Sequence, residues 1–307
     1  MSTLSIRQIV STARMRTAVV PAFNIPYLPM MAPVVDALRD TCTFGMIAVA
    51  RLELVKFEAR SLQAVRAEYE RVKDERFTRL HMDHVPVIDE DGDRVDAIGE
   101  LSQAVELGFD SIMIDGSRLS LADNIAQTRR VVEMAHARDV PVEAELGAVM
   151  GHESGPMPPY EELFASGRGF TDPDEARRFV AETGADWLSV AVGSVHGAIS
   201  KAAKDREKPA ARLNIEHLER IRQATGVPLV LHGGSGIRKE YILDAIAHGI
   251  AKINIGTAIR QPYERGVKQS AGDAARAVYE ATRTVIERDL EVAGSAHELN
   301  GDAFTEA

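Results

Sequence analysis

Three histidines follow short apolar runs in this chain: His84 comes after residues 78–82, His196 after 187–192 and His232 after 227–231. Carboxylates stand in the same kind of place, with Asp83 beside His84, Asp115 after 111–114, and Glu145 at the end of 140–145. Three imidazoles from separate strand ends suffice for a catalytic zinc site that keeps one position open for substrate. Such an ion acts as a Lewis acid, and nearby carboxylates can move protons. The three are far apart in sequence, so no local metal motif is present. Any one of them alone also reads as an ordinary loop histidine; all three at one mouth, with carboxylates between, read as a metal site. His136, His217 and His248 fall within helical stretches and read as surface residues, while His81 is taken to alternate away from Asp83 and is given no role.

A second chemical feature closes the chain's last two apolar runs. One ends in His232-Gly233-Gly234-Ser235-Gly236, the other in Asn254-Ile255-Gly256-Thr257. Glycines there let backbone approach a ligand, and successive N–H groups can cup a phosphate. Two ordinary strand-to-helix turns would look the same.

Positioning these groups requires strands that end together. Apolar runs at 17–23, 45–50, 78–82, 111–114, 140–145, 187–192, 227–231 and 251–255 alternate with helical patterns. Runs of this length, rich in β-branched residues, read as buried parallel strands. Eight of them predict an α/β fold, a (β/α)8 TIM barrel. A doubly wound open sheet is the alternative, but its glycine fingerprint should follow the first strand, which here ends in Phe23-Asn24-Ile25-Pro26. The expected organisation is one domain over residues 1–307, with the barrel at about 17–262 and a helical extension at about 263–307, frayed from Ala293. Three connections are long: the acidic 85–93, the Pro- and Gly-containing 146–170, and the charged 198–212. The barrel mouth then gathers Asn24, Arg51, Asp83, His84, Asp115, Glu145, His196, His232 and Asn254.

Composition narrows the partners. A formal charge of −10 and a pI near 5.5 disfavour nucleic acid and membrane surfaces. The single cysteine, Cys42, excludes an internal disulfide framework. The first 17 residues carry charges throughout, and no apolar run approaches membrane-spanning length. The expected location is the cytoplasm.

With these residues in place, the sequence resembles the class II, metal-dependent fructose-bisphosphate and tagatose-bisphosphate aldolases. The motifs that carry it are Ala22-Phe23-Asn24, His81-Met82-Asp83-His84, Ile114-Asp115-Gly116-Ser117, Val142-Glu143-Ala144-Glu145-Leu146-Gly147, Val195-His196-Gly197, Leu231 to Gly236, and Lys252 to Thr257. The resemblance implies zinc, or another divalent metal, on His84, His196 and His232, with Glu145 as an alternate or additional ligand. A monovalent cation is compatible with it. It implies Asp83 as the acid–base group on the aldehyde-derived oxygen and Glu153 as the base that takes the donor's proton. Asn24, Gly197, Gly233, Gly234, Ser235, Asn254, Gly256 and Thr257 would hold the substrate, commonly as dihydroxyacetone phosphate. It further implies a homodimer or homotetramer, since helices beyond the barrel need a cover for their apolar stripe.

The chain departs from the family's usual pattern at Ala50-Arg51-Leu52-Glu53, at Val85-Pro86 and the acidic insert, and at Gly256, where many relatives carry aspartate. The acceptor side therefore reads as rebuilt. The expected reaction is reversible cleavage of a phosphorylated ketose, or a related sugar-acid phosphate, through a metal-stabilised enediolate. Arg51 is a candidate reader of an acceptor carboxylate or phosphate, and equally a structural partner of Glu53 or another acid. A metal-dependent hydrolase and a non-catalytic barrel subunit are the rival readings. The first lacks its usual pair of histidines one residue apart on the first strand. The second should have lost ligands that are present here. A lysine Schiff base has no suitable residue in the sixth or seventh run.

Overall fold

Eight short strands, apolar along nearly their whole length, have no polar face to show to water, so each must be covered on both sides. The computed structural model satisfies this with a closed barrel; it describes residues 4–147, 160–194, 212–234, 236–301 and 304. The strands are β1 (Val20–Asn24), β2 (Gly45–Ala50), β3 (Thr78–Pro86), β4 (Ser111–Asp115), β5 (Val142–Leu146), β6 (Trp187–Val190), β7 (Leu229–Leu231) and β8 (Ile250–Ile255). Each pairs in parallel with its sequence neighbour, and β1 closes on β8 through Val20↔Lys252 and Ala22↔Asn254. This is the (β/α)8 TIM barrel with additional helices.

Helices α1 (Ile6–Met15), α2 (Met31–Asp40), α3 (Arg51–Lys56), α4 (Leu62–Val72), α5 (Ala97–Glu106), α6 (Leu121–His136), α7 (Tyr160–Ser166), α8 (Pro173–Thr183), α9 (Ile215–Thr225) and α10 (Lys239–Ala247) precede or follow the strands. Their starts are set locally. Asp172 caps α8 by accepting the N–H groups of Asp174 and Glu175, with Pro173 in the first turn. Asn214 caps α9 through the His217 N–H. The segment read as one long loop, 146–170, contains α7, and two helices, α3 and α4, joined at Phe57 to Ser61, connect β2 to β3.

Beyond β8 run α11 (Thr257–Gly266), α12 (Ala271–Thr284) and α13 (Ser295–Leu299). The buried stripe of α12, Ala274, Val278 and Thr282, is covered by α11 and α2 of the same chain. That cover needs no second copy. The expected fraying from Ala293 does not hold through residue 301: Gly294 N–H bonds Thr41 O at 2.9 Å, and Asn300 accepts the Leu4 N–H at 3.2 Å while donating to Arg76 O at 3.1 Å. The tail and α1 thus close the foot of the barrel. Among the described residues, no helix is long and apolar enough to cross a membrane.

Candidate active site

Strand β3 delivers two neighbouring polar residues to one place, which plain alternation forbids. The pairing of β3 with β4 slips between Met82 and Val85, so Asp83 and His84 together oppose Met113, and His84 takes φ +39°. A bulge of this kind re-aims a side chain. Asp83 turns into the barrel and His84 toward the rim, where it is partly exposed.

His84 meets His232 from the end of β7, with ring centroids 5.6 Å apart, and Glu145 from β5 joins them. One ligand atom from each of the three lies within 4.8 Å of the others. The imidazole tautomers follow from their partners. His84 Nε2 is 3.1 Å from Asp115 Oδ2, which turns Nδ1 toward Glu145 Oε2 at 3.7 Å. His232 Nε2 is 2.8 Å from Glu143 Oε1. Each imidazole thus gives its Nε2–H to a buried carboxylate, the arrangement that orients metal-ligating histidines and raises their basicity.

The charges around this centre are unbalanced without a cation. Asp83, Asp115, Glu143 and Glu145 are all buried, and Lys252 is the lysine buried among them. Burial would depress the His84 imidazole, but Asp115, with Glu145 and Asp83 beyond it, raises it to about 10. Burial and repulsion from Asp115 push Glu145 up to about 8. Asp115 resists burial through His84 and Ser117 and lies well below the carboxylate range. Two imidazoles, a carboxylate with a raised pKa and this surplus of negative charge suit a divalent ion. His196, the expected third imidazole, lies outside the described residues, as do Glu153, Gly197 and Ser235.

Beneath the rim the barrel interior is polar. Lys252 Nζ sits 2.8 Å from Glu143 Oε2 and donates to Asn254 Oδ1 at 2.7 Å. Asn254 and Asn24 both donate to Asp83 Oδ2 at 2.8 Å. His81 accepts from or donates to Ser111 Oγ at 2.8 Å through Nδ1, and its Nε2 lies 3.4 Å from Asp83 Oδ1. Residues two apart share a strand face, so His81 does not alternate away from Asp83; it stands beside it. Burial opposes ionisation of Asp83, but Lys252 first, then His81 and His232, hold its pKa well below the usual value. Lys252, again ahead of His232, likewise brings Glu143 down to about 2 against its burial. Asp83, Glu143 and His232 also come close enough to hold an ion. Lys252 already supplies the positive charge there, which favours the His84–Glu145–His232 position.

The glycines have reasons in the fold. Gly233 has φ +70°, and a Cβ on Gly234 would meet Ile253 Cδ1 at 2.8 Å and Asn254 O at 3.2 Å. Gly256 is different: its Cβ would meet only Asn24 Cβ at 3.7 Å, so neither conformation nor crowding demands glycine. Thr257 opens α11 directly after it. Arg51, at the start of α3, donates to Glu100 Oε1 at 2.9 Å and lies 3.6 Å from Asp89 Oδ2. Its partners are these acids of the insert and α5. Glu53 instead turns inward and accepts the Ala50 N–H at 2.8 Å. Lys56 reaches Glu90 and Asp91 at 2.6 and 3.0 Å, so α3 and the acidic insert form one clamped wall beside the mouth.

Residues 4–298 match the family described as Fructose-bisphosphate aldolase class-II. The YdjI aldolase from Escherichia coli K12 is 28% identical over 96% of this chain and 100% of its own, with a TM-score of 0.74. The fructose-bisphosphate aldolase of Campylobacter jejuni is 18% identical over 95% and 96%, with a TM-score of 0.72; at that identity the likeness speaks for the barrel alone. With a match that runs through every strand of the barrel, the chain belongs to the class II fructose-bisphosphate aldolase family and is an aldolase.

Proposed function

We propose that this aldolase reversibly cleaves a phosphorylated ketose, or a related sugar-acid phosphate, to dihydroxyacetone phosphate and an aldehyde, using zinc held by His84, His196 and His232 with Glu145 as a further ligand. One observation carries the reading: a ligand atom each from His84, Glu145 and His232 lies within 4.8 Å of the others, and Asp115 and Glu143 back the two imidazoles.

When bound, the divalent ion supplies Lewis-acid polarisation of the donor's oxygens. The chain's own groups do the rest. Asp83, kept ionised by Lys252 and two amides, takes the proton from the substrate hydroxyl as the carbon–carbon bond breaks and returns it in the aldol direction. Glu153 exchanges the proton at the donor carbon. The glycine backbone at Gly233 and Gly234, with Ser235 and Gly197, and the N-terminus of α11 behind Asn254, Gly256 and Thr257 suit the donor phosphate. Lys252 serves as counter-ion to Glu143 in this reading, so no Schiff base is involved. The cytoplasm as location and a homodimer or homotetramer as assembly belong to the same proposal.

The test is a panel of phosphorylated ketoses and sugar-acid phosphates, assayed for dihydroxyacetone phosphate with and without a chelator. Release that stops in chelator and returns with zinc is expected. Undiminished release from protein shown to be metal-free would overturn the metal assignment.

A further inference from the structure

Lys252 and Asn254 lie two residues apart on β8, so both side chains point into the barrel. The Lys252 ammonium stands 2.8 Å from Glu143 Oε2 on one side and donates to Asn254 Oδ1 at 2.7 Å on the other. Asn254 Nδ2 in turn donates to Asp83 Oδ2 at 2.8 Å. All four residues are buried. An ammonium has hydrogens to give and no lone pair, whereas a carboxamide carries an oxygen on one arm and an NH2 on the other. Facing Lys252, Asn254 can present only its oxygen. Its NH2 is then left for Asp83.

A counter-ion for Glu143 does not by itself call for this arrangement. Burying an ion pair strips both partners of water, and well-packed apolar side chains are commonly as stable. An ammonium serving Glu143 alone would not need to lie within hydrogen-bond distance of Asn254. Among the described residues, Lys252 is the donor to the Asn254 side-chain oxygen. Without it that oxygen would be a buried acceptor left unmatched, which favours turning the amide toward the wet mouth.

We propose that Lys252 is a positioning residue, which through the Asn254 amide holds Asp83 in the orientation that meets the aldehyde-derived oxygen. The proposal rests on Asp83 being the acid–base group. Lys252→Met combined with Glu143→Gln separates this role from charge balance. Glutamine keeps an oxygen for His232 and removes the charge that Lys252 neutralises, while methionine offers Asn254 no donor.

In crystals of this double variant, Asn254 Nδ2 should move out of hydrogen-bond reach of Asp83. Two reactions are then compared in excess zinc. Cleavage of the sugar phosphate that the panel identifies uses Asp83; exchange of the dihydroxyacetone phosphate proton with water does not. Cleavage should fall on the order of 100-fold more than exchange, as expected for a misplaced catalytic group. Adding Asn254→Ala should then cost cleavage little more, since the two residues act in series. If the double variant does not fold, Lys252→Leu with Glu143→Gln carries the same expectations. Asn254 still seated on Asp83, equal losses in the two reactions, or losses that multiply when Asn254→Ala is added would each overturn the proposal. Asp83→Ala, run alongside, keeps two failures apart. If it abolishes cleavage while the double variant cleaves like wild type, only the positioning role falls. If it still cleaves, the role of Asp83 falls, and with it the purpose given to Lys252.

Discussion

Lys252 Nζ lies 2.8 Å from Glu143 Oε2, and both side chains are sealed inside the barrel. Breaking such a pair strands a buried charge. Lys252→Met should lower the stability of the metal-free protein by about 3–5 kcal/mol in denaturant unfolding. Adding Glu143→Gln should recover much of that loss, because the orphaned charge goes too. A single variant as stable as wild type would show that the pair contributes nothing.

Asp83→Ala should cut turnover by ~10²–10⁴-fold, the usual contribution of a positioned acid–base group. Zinc content by elemental analysis should hardly change. Parallel loss of both would place Asp83 on the ion, together with Glu143 and His232.

Without metal, Glu145 titrates at about 8 and His84 at about 10. At neutral pH both carry protons that a bound ion must displace. Zinc binding should therefore release protons and tighten as pH rises. Calorimetric titrations in buffers of different ionisation enthalpy read this directly, and heats independent of the buffer would refute it. His84→Ala should remove one of the displaced protons and weaken binding.

Glu53 is raised from 4.5 to about 8, so the folded chain holds a proton that the unfolded chain gives up. Its contribution is fully present below the lower value and is lost as pH climbs through the upper one. Metal-free protein should lose stability from about pH 5 to pH 8. The slope should be shallower in Glu53→Gln, and equal slopes would mean that Glu53 is already ionised in the fold.

Arg51 is held by Glu100 and Asp89, yet its fork has five N–H donors. Arg51→Leu should raise KM for substrates with an anionic acceptor end more than for neutral ones. Equal effects on both would leave Arg51 as part of the wall alone.

The strands were legible because strands buried on both faces must be apolar, and that requirement shows in one dimension. Asp83, His84, Glu145 and His232 could be placed because each ends or follows such a run. The feet of the barrel were not legible: α1 mixes charge with its apolar stripe, and α13 is fixed by bonds to Thr41 and Cys42, residues distant in sequence. Glu143 and Lys252 did leave a sign, as ionisable residues inside apolar strands, where each needs a partner of opposite charge. His81 could have been joined to Asp83 by period two. Glu53 left none, since an acid near a helix start is ordinary, and only the folded chain shows which way it turns.

The bond between Leu4 and Asn300 has a practical corollary. Because residues 4 and 300 meet at the foot, a short tether joining them would cost little entropy, and new ends could be opened in an exposed connection instead. A circularly permuted enzyme of this kind should fold to the same barrel. Labels attached at residues 4 and 300 would lie at the foot, away from the mouth.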